Sequence, residues 1–355
     1  MRTGTLLLAA IALVLSACDR LNSNADKGAA PHGIVTIYST TDRAAFAPVI
    51  ADFKAVQPDV DIHYVELDAH PLNERYLAET ASRHDRADIL LSAAMDLQVK
   101  LVNDGYAAPH RSANAQALPS WARWRDEIFG LTFEPVVMVA NEEGLKGHPI
   151  PSSRFELAQT LRNDPAFWRD RIGTYDVRAS STGYLLATQD ARLSSEFGPL
   201  VQAMGSADVK TYPNSSPLLR DVESGKLLLG YNVLGSYAKQ RVAAGAKLRI
   251  IYPEDYTLAV VRAAFVSKRA PNPVAAHAFL EYLMSLRGQR VLSTRSDLDA
   301  VREEIRSQYG KLGISGTALG PLRPILLGPG LLTYLDQQKQ ERFLENWQTM
   351  LGKHD

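Results

Sequence analysis

Ile34-Val35-Thr36-Ile37-Tyr38-Ser39-Thr40-Thr41-Asp42 decides the fold, because the chain changes its backbone period within this stretch. Residues 34–38 form a β-branched, apolar run, the composition of a buried strand. The four residues after it carry hydroxyls and a carboxylate, which accept readily from the free N–H groups of a first helical turn. Phe46, Val49, Ile50 and Phe53 then recur at spacings of three and four, which predicts an amphipathic helix. Gln57-Pro58-Asp59 ends it, and residues 60–65 alternate as a second strand.

Outward from this unit the same alternation repeats. Residues 72–81 read as a helix, 87–92 as a short apolar strand, and 97–102 as the start of a helix stopped by Asn103-Asp104-Gly105. Strands separated by helices of this length predict an α/β sheet with parallel strands. Thr132-Phe133-Glu134-Pro135 leads into residues 136–140, read as a long strand leaving the first lobe. A second lobe follows, with a helix from about 155, strands at 172–175, 227–231 and 248–252, and helices from about 183 and 236. Residues 258–266 are a second long β-rich run, the predicted return crossing, and Pro271-Asn272-Pro273 opens a helix over 274–284.

The domain division expected from this pass is 33–133 for the first part of lobe 1, 134–256 for lobe 2, and 257–355 for the return part of lobe 1 with the C-terminal helices. Residues 33–355 are long enough for two domains of ordinary size. Acidic and basic residues balance at 39 each, and no basic stripe with interleaved aromatics occurs, so no nucleic-acid partner is expected.

The N-terminus carries a separate message. Arg2 precedes ten apolar residues, 6–15, which is short of the roughly 18–20 needed to span a bilayer. Residues 1–17 therefore read as a signal peptide. Leu15-Ser16-Ala17-Cys18 resembles a bacterial lipobox, and Cys18 is the only cysteine in the chain. That resemblance implies lipidation at Cys18, a flexible tether over 18–32, and a periplasmic protein anchored to the membrane. Asp19 resembles an inner-membrane retention signal.

Four further segments carry a family resemblance. These are Ile37-Tyr38-Ser39-Thr40-Thr41, Ala87-Asp88-Ile89-Leu90-Leu91-Ser92, Ser180-Ser181-Thr182-Gly183, and the helix Pro273–Leu283 followed by Ser285 and Gly288-Gln289. Together they resemble periplasmic solute-binding proteins of ABC importers, the group that includes ferric-ion-binding proteins and the phosphoglycerate transport regulatory protein. The resemblance implies an α/β, two-lobed (Venus-flytrap) periplasmic binding protein with a mainly parallel sheet in each lobe and crossing hinge strands. It implies a monomer without a cofactor, serving an ABC permease or reporting to a membrane sensor kinase.

Ligands of open α/β sheets bind beyond the carboxyl ends of the strands. That rule selects Ser39, Thr40, Thr41, Ser92 and Ala93 in the first lobe. In the second lobe it selects Ser180, Ser181, Thr182 and Gly183, with Arg178 upstream as a bidentate fork. Tyr231, Asn232 and Tyr237 follow the strand over 227–231. Two helix starts rich in hydroxyls favour an anion, a phosphate ester or a carboxylate. Plain N-capping is the competing explanation of the same serines and threonines.

Ferric-binding relatives use an adjacent tyrosine pair, whereas Gly235-Ser236-Tyr237-Ala238 has none, so ferric ion is the weaker alternative. The eight histidines show no ligand spacing and are expected in structural or surface roles, with no metal site. A secreted hydrolase would need a Gly-x-Ser-x-Gly elbow, which does not occur, so no catalytic residue is assigned.

Overall fold

The computed structural model describes residues 30–296, 298–309 and 321–352. Cys18, the signal peptide and nearly all of the tether lie outside the described residues. His32–Asp355 is one compact unit. Among the described residues no helix is long and apolar enough to cross a membrane.

The first lobe begins with β1 (Gly33–Ser39), α1 (Arg43–Val56), β2 (Val60–Glu66), α2 (Ala69–Ala81), β3 (Ile89–Ser92) and α3 (Met95–Asn103). Short strands β4 (Ala107–Ala108), β5 (Arg123–Trp124) and β6 (Ile128–Gly130) follow. The chain then enters the second lobe as β7 (Glu134–Asn141). This lobe continues through α4 (Arg154–Asn163), β8 (Ile172–Tyr175), α5 (Ser181–Leu193), α6 (Phe197–Ser206) and β9 (Lys210–Tyr212). It is completed by α7 (Ser215–Glu223), β10 (Leu229–Leu234), α8 (Gly235–Ala243), β11 (Leu248–Ile251) and β12 (Thr257–Val260). The return passes through β13 (Ala263–Ser267), α9 (Pro273–Met284) and α10 (Leu286–Arg295), and the chain closes with β14 (Leu322–Pro324) and α11 (Gln337–Met350).

Two sheets result, ordered β2-β1-β3-β13-β6-β5 with β4 on β13, and β14-β12-β7-β10-β8-β9 with β11 on β7. Both are mixed where mainly parallel sheets are expected. β1 pairs parallel with β2 and β3, and β8 with β9 and β10, but the strands next to the crossings, β13 and β7, run antiparallel to their neighbours. A strand that arrives from the other lobe has no crossover helix to reverse it.

The stripe of α1 buries Phe46, Val49 and Phe53 against the first sheet, with the Phe53 ring 4.7 Å from Phe279 of α9 in an edge-on contact. Each such burial contributes about 1.5–3 kcal/mol. The β-rich run 258–266, read as one strand, divides into β12 in the second sheet and β13 in the first. Val261 and Arg262 are the joint, just as 131–133 join β6 to β7.

The C-terminal part corrects the expected division, which placed 257–355 in lobe 1. β14 pairs with β12, and Phe343 and Trp347 of α11 join the core of the second lobe, Trp347 lying 5.8 Å from the Phe197 ring. Residues four apart define a buried face on a helix, but that spacing does not state which lobe supplies the partner.

Register places the candidate loops. Ser39 pairs with both Glu66 and Leu91, so β1, β2 and β3 end level. Tyr175 pairs with Tyr212, so β8 and β9 end level in the other lobe.

Candidate functional site

A cavity of 670 Å³ lies between the level strand ends of the two lobes. That is within the range of about 300–1,000 Å³ that small-molecule sites occupy. The first lobe lines it with Thr40, Asp42, residues 66–71 and Ala93, and the second with Tyr175, 179–182, 213–217, Arg220 and Tyr237. Arg262, at the joint between β12 and β13, lines it from the base.

The second-lobe wall is built from two helix starts. Ser180 caps α5, its Oγ accepting from the Gly183 N–H at 3.1 Å. With that cap formed, Ser181 is the first residue of the helix and is only 6% exposed. Its Oγ has no hydrogen-bond partner among the described residues, although it lines the cavity. A buried hydroxyl without a partner costs about 1–3 kcal/mol, which an incoming acceptor would recover. The α7 start lies beside it. Ser215 Oγ and the Tyr175 hydroxyl share a 2.5 Å hydrogen bond, and Asn214 at the cap position makes no side-chain capping bond. First-turn N–H groups of both helices are thus presented at one wall.

Arg262 is buried and pinned at the base. Its Nε lies 2.8 Å from Glu134 Oε1, Nη2 donates to Glu134 Oε2 at 3.1 Å, and Nη1 donates to Thr41 Oγ1 at 2.8 Å. Glu134 also accepts from the hydroxyls of Thr132 and Ser236. The guanidinium therefore ties the start of α1 in the first lobe to the first residue of β7.

The expected site residues separate into three groups. Thr40, Ala93, Ser180, Ser181, Thr182 and Tyr237 line the cavity. Ser39, Thr41, Ser92 and Gly183 sit directly behind the wall without lining it. Ser39 Oγ accepts from the Thr41 N–H, and Ser92 Oγ accepts from the Ala94 N–H and meets Thr40 Oγ1 at 3.3 Å. Gly183 is needed for packing: a Cβ there would lie 2.4 Å from the Tyr175 Cβ, so the close approach is to β8 and not to a ligand.

Arg178, Tyr231 and Asn232 are corrections, since none lines the cavity. Arg178 Nη2 donates to Gln348 Oε1 of the C-terminal helix at 2.6 Å. Tyr231 and Asn232 both donate to Asp190 Oδ2 at 2.7 Å, in a buried network completed by Arg154 and Tyr256. A bulge in β10 between Gly230 and Val233, with Asn232 at φ 60°, turns these side chains into the body of the lobe.

Several lining residues were not selected from the sequence. Arg262 carried a signal, because a lone cation in an apolar run must find a buried partner. Asn214, Ser215 and Ser216 follow β9, whose three residues are too few to show alternation. From the sequence Asp42 is a cap residue only. Its carboxyl is pushed above the usual range by burial and by the charge of Glu66, against the pull of Arg262 and of a hydrogen bond from the Tyr237 hydroxyl.

Two histidines are closer than their sequence positions suggest. His110 and His277 stack with Nδ1 atoms 3.0 Å apart, and His110 Nε2 meets Glu281 at 2.8 Å. No cluster of three or more His, Cys, Asp or Glu side chains arranged to hold a metal ion occurs among the described residues.

The model of a family described as bacterial extracellular solute-binding protein matches residues 35–295. The substrate-binding protein of an ABC transporter from Agrobacterium tumefaciens has a similar structure, with a TM-score of 0.83 and 34% identity over 90% of this chain and 96% of that one. AfuA of Actinobacillus pleuropneumoniae, solved with exogenous fructose-6-phosphate bound, shares the fold with a TM-score of 0.74 at 16% identity, covering 91% of this chain and 99% of its own. Iron-bound HitA of Pseudomonas aeruginosa does so with a TM-score of 0.69 at 18% identity, covering 89% and 99%. A comparison with curated protein sequences finds no match.

Proposed function

The chain belongs to the bacterial extracellular solute-binding proteins of ABC transporters, and from that premise we propose that it captures a small anion, a phosphate ester or a carboxylate, between its lobes. It hands this ligand to the ABC permease and performs no chemistry on it. The observation that carries the reading is Ser181: a buried hydroxyl without a partner, on the first turn of α5, facing the cavity beside a second helix start. Helix N-termini carry about half a positive charge and favour anions. Arg220 and Arg262 line the same space.

Ferric capture fits less well. A tyrosinate ligand needs a phenol that ionises easily, and burial pushes both lining phenols, Tyr175 and Tyr237, upward.

A thermal-shift screen tests the reading, with phosphate esters, phosphonates, carboxylates, inorganic oxyanions and ferric citrate. A ligand at about 100 times its Kd adds about 2.7 kcal/mol of stability. We expect a shift with at least one anion. The Thr40→Ala/Ser181→Ala variant should bind that anion about tenfold or more weakly, since each lost hydrogen bond to a charged group is worth about 1.5–3 kcal/mol. A shift with ferric citrate alone, or an unchanged affinity in the variant, would remove the reading.

The lipobox-like Leu15-Ser16-Ala17-Cys18 supports anchoring of the periplasmic protein through lipid on Cys18. The Cys18→Ser variant is expected in the soluble fraction on cell fractionation. Retention of that variant in the membrane pellet would argue against the anchor.

A further inference from the structure

The cavity is polarised. The second-lobe wall offers hydroxyls and helix N-termini, whereas the first-lobe wall carries three carboxylates, Asp42, Glu66 and Asp68. Among the described residues none of the three has a salt-bridge partner within 4.0 Å. Glu66 Oε2 accepts one backbone N–H, that of Arg43, and Asp68 stands at the cap position of α2 without making a capping bond. Arg262, the buried cation that lines the same cavity, is already paired with Glu134.

An ordinary anion placed between these walls gains from one and is repelled by the other. A group carrying positive charge at its far end removes the repulsion, and a neutral hydroxyl does not, because it donates a hydrogen bond without cancelling charge. Burial and the charge of Glu66 push the Asp42 carboxyl upward, against the pull of Arg262 and of the Tyr237 hydroxyl. We infer that the ligand is zwitterionic: its anionic group faces Ser181 and the two helix starts, and a protonated amine faces Asp42, Glu66 and Asp68. This rests on the anion reading above and narrows it. The buried, unpartnered Ser181 hydroxyl on the opposite wall fixes which end of the ligand lies where.

The test uses two matched series, titrated calorimetrically into the purified protein with EDTA present. One is aminoethyl, hydroxyethyl and ethyl phosphate; the other is β-alanine, 3-hydroxypropanoate and propanoate. In the series that binds, the amine should be preferred over both analogues by about tenfold or more, roughly the effect of 1.4 kcal/mol. The Glu66→Gln/Asp68→Asn variant should lose that preference and bind the hydroxy compound more tightly than the wild type does, because the repulsion from this wall is gone. Equal binding of amine and hydroxy compounds by the wild type would overturn the zwitterion inference and leave the anion reading standing. The same preference in the variant, or a preference that appears only when a divalent metal is added, would also overturn it. Binding of neither series would overturn both readings.

Discussion

Replacing Arg262 by Met is expected to cost about 3–5 kcal/mol of folding stability, because it leaves the Glu134 carboxylate buried without its cation. Two N–H donations would be lost at once, one to Glu134 Oε2 and one to Thr41 Oγ1, together with the close ion-pair contact of Nε to Glu134 Oε1. Anion affinity should fall by about tenfold or more, since the variant also removes positive charge from the base of the cavity. A second variant separates the two effects. Arg262→Met/Glu134→Gln removes the orphaned charge and should recover much of the stability, because a buried pair deleted together is far less costly than one broken. Its anion affinity should stay low. Denaturant unfolding and calorimetry read the two quantities independently, and wild-type affinity in the double variant would show that Arg262 only braces the hinge.

The second large effect concerns Asp96, in the first turn of α3. This carboxyl is 3% exposed and accepts the Leu97 N–H, and burial pushes its pKa up to about 7 from the ordinary 3.8. The sign follows from which state holds the proton. Below about pH 4 both folded and unfolded chains are protonated there, and Asp96 imposes no penalty. Between about pH 4 and 7 the unfolded chain ionises while the folded one does not, so stability falls by about 1.36 kcal/mol per pH unit. Above about pH 7 the loss levels off near 4 kcal/mol. Asp96→Asn removes this dependence. The variant should match the wild type near pH 4 and exceed it by about 3–5 kcal/mol at pH 8, measured by denaturant unfolding at both values. An equal difference at the two pH values would mean that Asp96 is ionised in the fold.

The parts of the site that were legible in the sequence are those that depend on local chemistry. Thr40 and Ser180 to Thr182 stand where a strand hands over to a helix, and the strand-end rule needs only that boundary. Tyr231 and Asn232 were misplaced because the same rule counted from residue 231. β10 runs on to Leu234 through a bulge, which moves the strand end and turns the intervening side chains inward. Arg178 could not be read locally either, since its partner Gln348 is 170 residues away on a helix assigned to the other lobe.

The same limit explains the lobes. A stripe such as Phe343 and Trp347 reports that a face is buried, and only the completed fold supplies Phe197 as the surface that covers it. The run over 258–266 looked uniform because both of its halves are buried strands. The charge of Arg262, at the point where they part, was the one residue that did not fit the run. Its role rests on Glu134, 128 residues earlier, and pairings over such distances leave no periodic trace.

The central claim is that an anion is held at the α5 and α7 starts. A crystal structure of the protein with its tightest-binding anion from the thermal-shift screen tests this most directly. We predict anion oxygens within about 3.2 Å of Ser181 Oγ and of first-turn N–H groups of α5 or α7. An anion bound elsewhere, or a metal ion on Asp42, Glu66 and Asp68 with Ser181 still unpartnered, would contradict it.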